Sequence, residues 1–343
     1  MAAMRRRAER PPIGRRPEML AISKEVRTSP VAKAYDLSGA IYGSYADGDT
    51  SDLFRFSGPH AYADHQVWTC IMARLCEIRL SGTTSLSVLD AGCGPGTWLK
   101  RLVINAREMG FVEISARGFD VSAEQIQQAR VNCRGLSSLP GVRLEFTVGD
   151  LTHPLPEADN SVDLTLCLYS VLSHIPLAEL PSVARELGRV TRGSFITTVR
   201  PVGSMASGLV AAISDVRRLR HDQRRNWCEV ELADGCRVAF SFHLFSTDEL
   251  ASLFKGIFEI EALEGLDFFH GRFAADPRWN PPGQDLPQAL ALELAKMEKH
   301  LSASREYNDN ANQLLLIGRK VATVRQTDNQ RRPKLTLRSA RQR

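Results

Sequence analysis

Between Ser87 and Lys100 the chain reads SVLDAGCGPGTWLK. An apolar run ends at the acidic residue Asp90. Gly92, Gly94 and Gly96 follow at alternate positions, and a helix-like pattern begins at Thr97. This is the signature of a buried strand that turns sharply into a helix, with glycines allowing left-handed backbone and close approach of a ligand. Such turns hold nucleotides. What remains to be read from the sequence is which nucleotide, and what chemistry goes with it.

The surrounding pattern sets the fold. Val67, Ile71, Leu75 and Ile78 recur at helical spacing between Ala63 and Leu80. LSVLDA is then a first strand, and Leu99, Leu102, Val103 and Ala106 form one face of a helix that Gly110 stops. FVEISARGFD supplies a second strand, and Ser122 with Gln125 makes a capping box for the next helix. VRLEFTVGD and SVDLTLCLYS read as third and fourth strands. A helix carrying Leu180, Val183, Ala184 and Leu187 comes next, with Pro181 near its start, and SFITTVRP reads as the fifth strand. Strand and helix alternating at this pitch imply a parallel sheet with helices on both faces and a ligand site along the carboxyl ends of the strands.

After Pro201 the rhythm changes. Residues 205–225 read as helix ending in the basic group Arg217, Arg218, Arg220, Arg224 and Arg225. NWCEVELADGCRVAFSFHLF reads as a hairpin turning at Asp234-Gly235. Ser246 with Glu249 opens another capped helix, and IFEIEAL reads as a sixth strand. Leu286, Leu290, Leu294, Met297 and Leu301 stripe a long helix before the last strand, NQLLLIGRK. The expected fold class is therefore α/β, a doubly wound, mostly parallel sheet of seven strands with a hairpin-containing insertion after the fifth.

Charge narrows the partners. The total is +5, but residues 1–18 carry +4 and residues 319–343 carry +8, which leaves −7 for the body between them. An acidic body with two basic ends argues against a nucleic-acid-binding face. No apolar run reaches the roughly 18 residues that span a bilayer. The basic start lacks the apolar segment of a secretory signal. Seven scattered cysteines show neither C-x-x-C nor zinc spacing, so no metal is expected, and reduced thiols point to the cytoplasm.

The loop itself discriminates among cofactors. A Walker loop needs Lys after its last glycine, and here Thr97 follows Gly96. A dinucleotide fingerprint needs a small residue where Thr97 stands, and Pro95 interrupts it. Acidic-x-G-x-G-x-G remains, and an anion at Asp90 suits a ligand that brings positive charge. VLDAGCGPGTWL resembles the first motif of the class I S-adenosylmethionine-dependent methyltransferases. Further motifs resemble the family's in order: GFDVS at the second strand end, VGDL at the third and SVDLTLCLYSVLSHIP at the fourth. The resemblance implies that Asp120, with Val121, holds the ribose hydroxyls, and that Asp150 and Leu151 hold the adenine. It also implies that Asp90, Ala91, Gly92, Gly94, Gly96, Thr97 and Leu168 line the rest of the S-adenosylmethionine site.

The resemblance further implies an N-terminal lid and an acceptor pocket over the strand ends. Tyr35, Tyr42, Tyr45 and His60 are candidates on one side, with Tyr169, His174, Arg200 and His243 on the other. For His174 a role in fixing the loop is preferred over that of a base. The expected organisation is a disordered basic leader (1–30), a lid (31–62), a core (63–201), an insertion (202–245), the rest of the sheet (246–320) and a disordered basic tail (321–343).

The acceptor is approached by elimination. Amino-methylating nucleic-acid enzymes carry [DNS]-P-P-[YFW] after the fourth strand, where this chain has CLYS. NPPG at Asn280–Gly283 lies after the sixth strand and lacks the aromatic. Cys167 sits within a strand pattern and reads as a buried thiol. No paired glutamates occur between Asp163 and Ala178 to hold a guanidinium. A methyltransferase acting on a small molecule by in-line displacement is the expectation. The alternatives are an RNA or protein methyltransferase docking through the basic tails, and a non-catalytic S-adenosylmethionine-binding protein.

Overall fold

The computed structural model describes residues 30–37, 53–54, 56, 61–204, 216–270 and 288–321. Nearly all of the expected leader and tail, most of the lid, Tyr42, Tyr45, His60 and the NPPG segment lie outside the described residues.

Helix α1 (Pro30–Leu37) comes first, followed by α2 (Ala61–Leu80). The alternation then runs β1 (Ser85–Ala91), α3 (Thr97–Glu108), β2 (Glu113–Asp120), α4 (Ala123–Asn132), β3 (Val142–Val148), β4 (Val162–Cys167), α5 (Leu180–Val190) and β5 (Thr191–Val199). Local signals place these boundaries. Gly110, at φ 88°, ends α3 in a Schellman turn: its N–H donates to Arg107 O, and the Phe111 N–H donates to Ala106 O. Ser122 Oγ accepts from Gln125 N at 3.2 Å and caps α4.

Among the described residues, seven strands form one sheet in the order β3-β2-β1-β4-β5-β10-β9, where β9 is Phe258–Leu266 and β10 is Gln313–Lys320. Strands β1 to β5 pair in parallel, and β10 pairs antiparallel with both β5 and β9. The order reverses between β1 and β4, which makes their carboxyl ends the topological switch point, where α/β sheets bind ligands.

Two apolar clusters cover the two faces. One joins α2, α3 and α4 through Ile71, Leu75, Leu99, Leu102, Ala106 and Ile126. The other joins α5 and α6 (Thr247–Phe254) through Val183, Leu187, Leu250 and Phe254. Strand β10 shows the alternation: Leu314 and Leu316 face the second cluster, and Leu315 and Ile317 face the first. No helix among the described residues is long and apolar enough to cross a membrane.

Two expectations need correction. Residues 216–222 are a strand, β6 (Val216–Asp222), not part of a helix. It pairs with β7 (Trp227–Leu232), which pairs with β8 (Arg237–Ser241), so the insertion is a three-stranded sheet with the expected turn at Asp234-Gly235. Pairing decides the matter: Leu219 packs on the small core of Cys228, Val230 and Phe242, while Arg218 and Arg220 stay exposed. The second correction concerns α7 (Gln288–Ser302), where Leu290 and Met297 of the expected apolar stripe are exposed. Glu298 is buried instead, and its carboxylate accepts the N–H groups of Phe268 and Phe269 at 2.9 and 2.8 Å. Satisfying those backbone donors sets the helix's inward face.

Phe195 of β5 is fully buried and stacks on Phe258 with centroids 4.9 Å apart. Replacing Phe195 by Ala should cost about 3–5 kcal/mol. Urea denaturation measures this, and a cost below about 1 kcal/mol would contradict the packing described.

Candidate functional site

The site is built around the β1–α3 turn. Asp90 is the penultimate residue of β1 and is 1% exposed. Its neighbour in register on β4 is Leu166. The turn is closed by β2: Phe119 O accepts the N–H groups of Gly92 (2.8 Å) and Cys93 (2.9 Å), and Asp120 Oδ2 accepts the Gly94 N–H at 2.9 Å. Gly92 has φ 79°, and a Cβ there would lie 2.3 Å from Val171 Cγ2. Only glycine lets the turn pass so close to the chain leaving β4.

The electrostatics are one-sided. Burial pushes the Asp90 carboxyl up to about 8, and the nearby Asp120 carboxylate adds to the rise. Burial also raises Asp120, but hydrogen bonds from the Ser122 and Gly94 N–H groups oppose this rise. Burial and Asp90 together push the thiols of Cys93 and Cys167 up. Asp90 Oδ2, Thr97 Oγ1 and both amide atoms of Gln125 are buried without a hydrogen-bond partner among the described residues. Orphaned polar atoms in such a place call for a ligand or ordered water. Gln125 Oε1 lies 3.8 Å from the position of a Cβ on Gly94, so it faces the turn.

The other strand-end residues lie along the same edge. Asp120 Oδ1 accepts the Ser122 N–H at 2.9 Å, and each of its oxygens retains capacity for a further donor. Val121 is half-buried beside it. Asp150 Oδ1 accepts from Thr152 N and Oγ1 at 2.9 and 2.8 Å, which fixes the carboxylate in a local turn. Leu151, Leu168 and Ala91 are buried. Helix α1 reaches this edge as well: Asp36 Oδ1 accepts from Ser122 Oγ at 2.6 Å.

The acceptor-side candidates separate into two groups. Tyr169 lies at the switch point, where it stacks on Trp98 with centroids 6.0 Å apart and donates its hydroxyl to Asp64. The two histidines join the insertion to the core. Because a carbonyl only accepts, His174 Nδ1 carries a proton and donates to Ser241 O at 3.2 Å. Its Nε2 therefore accepts from the Tyr35 hydroxyl at 2.7 Å. Phe240 and Phe242 flank the ring, and burial lowers its pKa to about 4. His243 donates from Nε2 to Glu249 Oε1 at 2.7 Å, and its backbone N–H donates to Ser173 O at 2.7 Å. Arg200 is buried against Asn312.

Sequence reasoning missed Gln125, Asp64 and Trp98 as site residues. Gln125 was legible only as a capping-box partner, and its amide faces the turn because the cap fixes the start of α4. Asp64 and Trp98 gave no sign, since their partner Tyr169 is 105 residues from Asp64 in sequence.

A family model described as a methyltransferase domain matches residues 88–194, a span that contains Asp90, Asp120, Asp150 and Tyr169. A protein described as an uncharacterized 37.1 kDa protein in transposon TN4556 of Streptomyces fradiae is 40% identical over 164 residues. That match spans 46% of this chain and 42% of the relative's length. The fold is also similar to that of solved methyltransferases. Magnesium protoporphyrin IX methyltransferase from Synechocystis, with bound SAH, is 16% identical with a TM-score of 0.44, covering 85% of this chain and 98% of that one. A SAM-dependent methyltransferase from Methanosarcina mazei is 18% identical with a TM-score of 0.44, covering 70% and 94%.

The His174 assignment predicts a pH effect on stability. The unfolded imidazole takes a proton near 6.5 and the folded one near 4, so between those values the unfolded state binds more protons. Stability should fall by roughly 3 kcal/mol as pH drops through that window, with no contribution from this group above it. Denaturation curves of the wild type and His174→Gln between pH 7 and 4 measure the difference; identical pH profiles would refute the assignment.

Proposed function

We propose, from the methyltransferase-domain match over residues 88–194, that the chain is a class I S-adenosylmethionine-dependent methyltransferase that transfers a methyl group to a small organic molecule. The observation that carries this reading is the buried Asp90 carboxyl, with Oδ2 unpartnered among the described residues and another carboxylate, Asp120, as its charged neighbour. A buried carboxylate is stable only against a counter-charge. S-adenosylmethionine brings both a sulfonium and an ammonium, so the residues fit the donor.

The donor supplies a methyl carbon already activated by the sulfonium. This chain's residues hold, align and dry the reactants. Asp90 takes the cationic end, and Gly92 and Gly94 let it approach. Asp120 and Val121 hold the ribose, and Asp150 and Leu151 hold the adenine. Thr97 and Gln125 offer their orphaned polar atoms to the same ligand. The three-stranded sheet β6–β8 would wall the acceptor side, with α1 joined to the core through Tyr35 and His174. Free thiols at all seven cysteines suit a cytoplasmic setting.

Donor binding should be linked to ionisation of Asp90. A cation binds the ionised form, so affinity for S-adenosylmethionine should rise by up to about tenfold per pH unit below about pH 8 and level off above. Asp90→Asn should weaken binding and flatten the profile. Calorimetric titration from pH 6 to 9 measures both, and a flat wild-type profile would overturn the role of Asp90. Incubation with methyl-labelled donor and a fractionated metabolite extract tests the acceptor class. Label should enter a small-molecule fraction and should persist after deletion of residues 1–18 and 321–343. Loss of transfer on that deletion would favour a polymer substrate docked by the basic ends.

A further inference from the structure

Strand β4 ends in an unusual way. Tyr169 and Ser170, directly beyond Leu168, both have left-handed backbone, with φ 55° and 68°. Neither is glycine, and two consecutive non-glycine residues in this region carry strain of the kind concentrated at functional sites. Thr198 of β5 holds them there: its Oγ1 accepts the Tyr169 N–H at 2.7 Å, and its carbonyl accepts the Ser170 N–H at 3.0 Å.

The strained turn has a consequence for the Tyr169 side chain. The ring is brought beside the glycine turn, stacked on Trp98 from the first turn of α3. The hydroxyl donates to the carboxylate of Asp64, which is 2% exposed on the first turn of α2. Trp98 is itself fixed from behind, because the Arg101 guanidinium sits over its ring at 5.0 Å and Arg101 Nε donates to Leu53 O at 2.8 Å. Elements α2, α3, β4 and β5 thus all act to hold one phenol beside the glycine turn, with its oxygen against Asp64.

A phenol has one proton to donate. Here that proton is committed to a carboxylate, so toward any ligand the Tyr169 oxygen acts as a hydrogen-bond acceptor. The matching ligand presents an O–H or N–H at that point. We infer that Tyr169 is a catalytic residue that receives the proton-bearing nucleophile of the methyl acceptor, that Asp64 is its positioning residue, and that the acceptor is therefore methylated on oxygen or nitrogen rather than on carbon. The inference rests on the methyltransferase reading above and specifies its substrate class.

The step balances without another reactant. The nucleophile's lone pair forms the bond to the methyl carbon while the carbon–sulfur bond breaks and its electron pair stays on sulfur. The nucleophile's proton passes to the Tyr169 oxygen as the Tyr169 proton passes to Asp64. The products are a methylated heteroatom, a neutral thioether and a protonated Asp64 carboxyl, which returns its proton to solvent after product leaves.

The test uses the full chain and three variants, Tyr169→Phe, Asp64→Asn and Asp64→Glu, with methyl-labelled S-adenosylmethionine and the fractionated metabolite extract as probes. Thermal melts confirm that each variant is folded. Donor Kd should stay within about threefold of wild type in all three, because the phenol acts on the acceptor. The rate of label transfer should fall about 100-fold or more in Tyr169→Phe and Asp64→Asn, with partial recovery in Asp64→Glu. The labelled product should release its methyl as heteroatom-bound methyl in hot hydriodic acid. Methyl bound to carbon, or transfer at the wild-type rate by Tyr169→Phe, would overturn the inference. A wild-type protein that binds the donor and labels no fraction would also overturn it, while leaving the donor site standing. A wild-type protein that binds no S-adenosylmethionine would instead sink the parent reading.

Discussion

The structure depends on a clamp between two adjacent parallel strands. The turn after β1 has no regular partner of its own, so the end of β2 supplies one: Phe119 O and Asp120 Oδ2 take three successive N–H groups of the glycine turn, those of Gly92, Cys93 and Gly94. This fixes the turn tightly enough that Val171 packs where a side chain on Gly92 would be. It also sets two carboxyls, Asp90 and Asp120, close together in a buried place. The closed glycine turn and the negative site are consequences of the same few hydrogen bonds.

The arrangement is costly for the free protein. The Asp90 carboxyl is taken out of water beside the Asp120 carboxylate, and several polar atoms around it lack partners among the described residues. A fold selected for stability alone would fill such a place with apolar groups, which is often neutral or stabilising. The cost is offset when a cationic ligand enters, so the strain at the site and the choice of methyl donor have one physical origin. A parallel holds at the end of β4, where Tyr169 and Ser170 keep unfavourable backbone and the Tyr169 hydroxyl meets Asp64.

The parts of the molecule that were legible in sequence are those set by local rules. Apolar periodicity marked β1 to β5 and the helices between them, and Ser122, Ser246 and Gly110 marked helix ends because capping is decided within a few residues. Asp90, Asp120 and Asp150 were legible as candidates because each lies at the carboxyl end of its strand or just beyond it. Pairings made across long stretches of chain were not legible. Arg217, Arg218 and Arg220 read as a helix because the strand β7 that claims them supplies no signal in their own segment. Glu298 looked like the polar side of a helix, and the N–H groups of Phe268, Phe269 and His270 explain its burial. For His174 the sequence favoured a role in fixing the loop, and its partners Ser241 and Tyr35, like Glu249 for His243, tie the insertion, α1 and the core together across stretches of chain that give no local signal.

The central claim is that the glycine turn and Asp90 select a cationic methyl donor over other nucleotides. Equilibrium dialysis of the full chain against labelled S-adenosylmethionine, with excess NADH as competitor, tests it most directly. The account predicts saturable binding of one S-adenosylmethionine per chain that NADH does not displace. Binding of NADH with no binding of S-adenosylmethionine would contradict it.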